Sequence, residues 1–259
     1  MEISNSEKQR LWALYGVDVA AAATSSAMVS PLIAVVDRAI IENANGKRPL
    51  GQGLVQGLRA IFTQPIQFAG SLQFRLVYGL YFSTYITANV MDTTSERMGV
   101  KDTTAAWYKF IATSVVNMGI CIYKDRSFTR MFGVTATRAL PMLTYFCFAA
   151  RDSLTIAASF NAPVYFAQWL QQKYVSLDRH DARVIAQLVC PASIQFVSTP
   201  IHLLGLDMYN RPTASSAQRM GLIRKEYLKS AFARIGRIGP AFGIGGVGNA
   251  YFRGFRRYV

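Results

Sequence analysis

Residues 12–37 read WALYGVDVAAAATSSAMVSPLIAVVD, an apolar and small-residue run from Trp12 to Asp37 with a single internal charge, Asp18. At about 1.5 Å rise per residue, such a run exceeds the roughly 30 Å hydrocarbon thickness of a bilayer. Apolar and polar residues do not alternate along it, so it suits a helix that bonds its own amides and not a barrel strand. Five more runs of this kind follow, near 65–90, 104–123, 134–160, 182–206 and 231–252. The expected fold class is therefore an all-α membrane protein with six transmembrane helices.

Composition points the same way. The 259 residues are 51% hydrophobic and 16% charged, whereas soluble domains carry about a quarter charged. Twenty-eight Lys and Arg oppose fourteen Asp and Glu, yet a disordered basic tail is excluded by so much apolar residue. His180, His202 and the isolated Cys121, Cys147 and Cys190 give no metal-ligand spacing and no disulfide framework. No metal or cofactor is expected, and no nucleophile–base pairing is legible, so the chain does not read as an enzyme. Met1-Glu2-Ile3-Ser4 opens neither an apolar signal sequence nor an Arg-rich transit peptide. With six spans both termini share one side. The stretches 37–60, 124–138 and 207–237 hold 15 Lys and Arg against 10 in the termini and opposite connections, which places the former on the matrix or cytoplasmic side.

An internal repeat is also visible. Asp37, Asp125 and Asp207 close the odd-numbered segments at separations of 88 and 82 residues. Pro65, Pro141 and Pro240 open the even-numbered ones, two of them in the contexts Arg138-Ala-Leu-Pro141 and Arg237-Ile-Gly-Pro240. These marks divide one membrane domain into three pseudo-symmetric helix pairs, 1–103, 104–181 and 182–259. Repeated pairs in a transporter frame a binding region at their interfaces.

In this layout, and in Arg234-Ile-Gly-Arg237-Ile-Gly-Pro240-Ala-Phe-Gly-Ile-Gly-Gly246, the chain resembles the mitochondrial carrier family. The resemblance implies three tandem two-helix repeats in the mitochondrial inner membrane, both termini toward the intermembrane space. The positions matching that family's gate motif are Pro31-x-Ile33-x-x-Val36, Asn117-x-Gly119-x-x-Ile122 and Pro200-x-His202-x-x-Gly205, and none keeps a gate charge. No salt-bridge ring is therefore expected at Ile33, Gly119 and His202. On the other side Arg75 and Arg151 each follow a proline by ten residues, where the family has an acid. Like charges there would repel.

The leading expectation is thus a non-transporting scaffold or accessory subunit of an inner-membrane complex. The alternative is a divergent transporter of a small anionic metabolite, its basic cavity built from Arg75, Arg138, Arg151 and Arg237. A third reading is an outer-membrane derivative acting in membrane organisation or protein insertion. A scaffold would fill its interior with side chains such as Tyr145 and Phe146; Asp37, Asp125 and Asp207 bridged to neighbouring repeats would favour the transporter.

The remaining motifs have plainer readings. Asp18, Arg75, Lys109, Arg151 and Asp152 lie within apolar segments and should face a cavity or one another. Gly243-Ile-Gly245-Gly246-Val-Gly248 lacks the preceding strand of a dinucleotide loop, so Gly239 and Gly243 read as a close-packing face. Asp178 or Asp181 caps the fifth segment. The basic stretch Arg219 to Lys229 suits anionic lipid headgroups and not nucleic acid.

Overall fold

The structure, a computed structural model, describes residues 5–133, 140–160, 162–174 and 177–259. Among them every regular element is helical and there is no strand. The long elements are α1 (Asn5–Ala44), α4 (Leu72–Arg97), α5 (Asp102–Phe132), α6 (Met142–Phe160), α8 (Arg179–Asn210) and α9 (Ser216–Gly236). Shorter α2 (Leu50–Thr63), α3 (Pro65–Gly70) and α7 (Ala162–Lys173) connect them, and a π-helical stretch, Pro240–Gly246, runs into α10 (Val247–Arg253).

Local chemistry sets several boundaries. Pro65 stands at the first position of α3, where its missing N–H costs nothing. The Ser71 hydroxyl accepts from the Phe74 amide to open α4, and Ser215 with Gln218 forms a reciprocal capping box at α9. α8 begins directly after Asp178. Pro31 sits inside α1, and Pro191 and Pro200 inside α8.

Contacts run α1–α4–α5–α6–α8–α9, and the π-helical stretch with α10 returns to α1, so the helices close a ring. Three of them, Asn5–Ala44, Asp102–Phe132 and Asp181–Asn210, are long and apolar enough to cross a membrane. The surface agrees: α5 exposes Trp107, Ile111 and Val115 while burying Lys124 and Asp125. Ions inside and aliphatics outside invert the soluble arrangement and fit a lipid solvent. This is a helical membrane protein.

Close approach depends on glycine at several positions. A Cβ at Gly57 of α2 would press on Val35 of α1, and one at Gly245 would overlap the Tyr85 hydroxyl of α4. Gly239 and Gly243, expected to form that packing face, meet open space instead. The π-helix winds more widely than an α-helix, which turns Gly245 inward in their place.

Candidate functional site: a charged cavity between two ionic networks

Asp37, near the end of α1, is the hub of the first network. Its Oδ2 takes the Lys124 ammonium of α5 at 2.5 Å, and its Oδ1 takes the Arg237 guanidinium just beyond α9. Lys124 also reaches Asp125 at 2.9 Å, and Asp125 accepts from Arg151 of α6 at 2.5 Å. Arg151 continues to Asp152 and, at 3.0 Å, to Nδ1 of His202 on α8. All of these groups except Arg237 are buried. Charges taken out of water persist only when paired and hydrogen-bonded, which this chain of contacts achieves.

Cys121, Asp125 and Asp152 bring a thiol and two carboxylates within 4.8 Å of one another. Arg151 Nη2 donates to all three, so the cation that this cluster surrounds is the guanidinium. Sequence spacing did not reveal the convergence, because Asp152 comes from another helix.

A second network lies nearer the termini. Arg253 of α10 donates to Asp18 of α1 at 2.8 Å and to Asp92 of α4 at 2.9 Å, and Lys109 of α5 meets Asp92 at 3.0 Å. Thr93 donates to Asp18, and Arg256 pairs with Glu96 at 2.7 Å. Asp18 and Asp37 are nineteen positions apart on one helix, roughly 28 Å along its axis.

Between the networks lies a cavity of about 270 Å³ walled by α1, α4, α5, α6 and the start of the last helical segment. Asp37, Lys124, Asp152 and Arg237 line it at the first network. Tyr81, Thr84, Ser114, Asn117, Thr155 and Ser159 supply hydroxyls and an amide along its wall. Thr84, Thr155 and Ser159 donate their hydroxyl protons to the carbonyls four residues back in their own helices. Their oxygens still accept, so they offer acceptors to a solute.

The residues expected to bind substrate are placed apart. Arg237 lines the cavity, Arg151 sits in the adjoining network, Arg75 is exposed in the first turn of α4, and Arg138 lies outside the described residues. Arg151 is not left repelling Arg75: it is buried and held by the carboxylates of Asp125 and Asp152, while Arg75 is exposed. At the gate-equivalent positions, Ile33 is buried against the cavity, Asn117 donates to Thr84 at 3.0 Å, and Gly119 is exposed. His202 is buried against Arg151, and Pro31 and Pro200 are half-buried. Of the three aspartates, Asp37 alone is bridged outside its own expected segment, to Lys124 and Arg237, whereas Asp125 pairs within its own with Lys124 and Arg151, and Asp207 within its own with Arg211 and Arg219. Phe146 is 68% exposed, so it does not fill the interior, whereas Tyr145 is half-buried and packs against the core. Lys124, Ser114 and the hydroxyl wall went unnoticed in the sequence, where each is one ordinary polar residue among apolar ones.

No curated protein and no solved structure matches the chain. The mitochondrial-carrier resemblance is overturned by a different family, whose model matches residues 21–256, a span that holds the cavity, the first network and all of the second except Asp18. The earlier likeness rested on a layout of helix pairs and one glycine-rich stretch, with every gate charge absent from its expected position. The chain belongs to the family described as “Probable citrulline exporter”.

Proposed function

We propose that the protein exports citrulline, or an amino acid of the same charge and size, across a membrane. The observation that carries this reading is the charge balance of the cavity, where Asp37 and Asp152 face Lys124 and Arg237. Two carboxylates and two cations suit a solute that is itself a zwitterion, with each substrate charge meeting its opposite in a desolvated site. A net anion would meet both carboxylates, so the anionic metabolite considered from sequence gives way to a neutral one. The volume, about 270 Å³, falls below the roughly 300–1,000 Å³ of drug-sized sites and favours an amino acid over a nucleotide. A ureido group carries amide donors and a carbonyl acceptor, which match the hydroxyl and amide wall.

The six apolar segments serve as spans in this reading, paired as 1–103, 104–181 and 182–259. The two ionic networks act as the closures on either side, opening one at a time. The scaffold reading depended on gates without charges, and the Asp37 hub supplies charges about one turn beyond the expected position. The basic connections face the cytoplasm or matrix by their excess of cations. Proteoliposomes carrying the purified protein and loaded with labelled citrulline should release label faster than protein-free vesicles. They should not release labelled malate or phosphate. Release of the anions with retention of citrulline would overturn the proposal.

A further inference from the structure

We infer that the free carboxylate oxygen of Asp152 receives the α-ammonium group of the transported amino acid. This oxygen thereby sets a preference for amino acids over their deaminated analogues. The inference rests on the export reading and names the specificity residue of that site.

Counting carboxylate oxygens singles out Asp152. Asp37 has both occupied, Oδ2 by Lys124 and Oδ1 by Arg237. Asp125 likewise gives Oδ1 to Lys124 and Oδ2 to Arg151. Asp152 accepts from Arg151 through Oδ1 alone, and its Oδ2 has no hydrogen-bond partner among the described residues. The residue is only 7% exposed, so bulk water does not supply that bond. Ser114 Oγ is in the same condition, buried and without a partner among the described residues. Both residues line the cavity, one from α6 and the other from α5.

An unmade hydrogen bond on a buried carboxylate oxygen is costly and uncommon and calls for a donor-rich ligand group. An ammonium has three donors and a positive charge and suits the Asp152 oxygen, whereas Ser114, seven residues along α5 from the Cys121 that stands beside Asp152, is left to the rest of the substrate. Its arrival does not strip Arg151, which keeps Asp125 and His202. The opposite pole follows: Arg237 binds Asp37 through Nη1 and lines the cavity, so its guanidinium is placed to take the substrate carboxylate.

Calorimetric binding to the purified full-length protein tests this, with L-citrulline and 5-ureidopentanoate, the same molecule without its amine, as probes. Wild type should bind citrulline about tenfold or more tightly, the size of one charge-assisted hydrogen bond. In Asp152→Asn the citrulline affinity should fall by about that factor while the deaminated probe changes little, so the ratio collapses toward one. Ser114→Ala, two turns away along α5, should weaken both probes alike and keep the ratio. A parallel loss for both probes would mark Asp152 as merely structural and overturn the inference. Should Asp152→Asn fail to fold, wild type that binds the two probes with equal affinity would overturn it. Wild type that shows this binding pattern but moves no citrulline would refute export and leave the assignment standing. Wild type that moves citrulline without preferring it over the deaminated probe would refute the assignment alone.

Discussion

Asp37 joins three helical segments through one carboxylate, and its worth is best judged by what its removal leaves behind. Asp37→Asn would strip Arg237 of its carboxylate partner and leave Lys124 only Asp125. Breaking a buried pair on one side costs about 3–5 kcal/mol, because the surviving charge remains desolvated. The expected outcome is a lower melting temperature in detergent, partly restored by adding Arg237→Gln, which removes a stranded cation. Additive losses in the double variant would contradict the hub. Part of this was legible. Asp37 and Arg237 stood out because each ends or opens an apolar run. Lys124 did not, since a Lys-Asp pair near a helix end reads as an ordinary interfacial anchor until the fold brings Asp37 beside it.

Among elements, the π-helical stretch Pro240–Gly246 is where sequence reading failed. The glycine-rich run was legible as a packing face, but its register was not. A wider helical winding shifts which residues face inward, and nothing in the residue types announces π geometry. Tyr85 donates from its hydroxyl to the Ala241 carbonyl within this stretch, and the hydroxyl occupies the space a Gly245 side chain would need. Gly245→Ala should therefore destabilise by about 1–3 kcal/mol through overpacking, and Tyr85→Phe should relieve part of it. Gly243→Ala, in open space, should be close to neutral. Thermal unfolding of the three single variants and the Gly245/Tyr85 double variant checks this order, and equal losses at Gly243 and Gly245 would contradict it. At α9 the capping box predicts a loss of about 1 kcal/mol in Ser215→Ala, measurable by the same unfolding.

At the scale of the molecule, the helical membrane class was readable because long apolar runs with charges at their ends have few other physical solutions. Family membership was not readable from the layout of helix pairs, which different families can share, since function lives in sites and not in scaffolds. The site itself was legible as separate charges but not as pairs, because Asp37–Arg237 and Asp18–Arg253 are 200 and 235 residues apart in sequence. Their arrangement makes the proposed function specific: a zwitterion would be carried between two ionic closures that do not open together. The most direct test is counterflow. Proteoliposomes filled with unlabelled citrulline are placed in a trace of labelled citrulline, and internal label is followed over time. A carrier must accumulate label transiently above its equilibrium level, and Arg237→Ala should abolish the overshoot. Label that only rises to equilibrium, or an overshoot untouched by Arg237→Ala, would contradict the account.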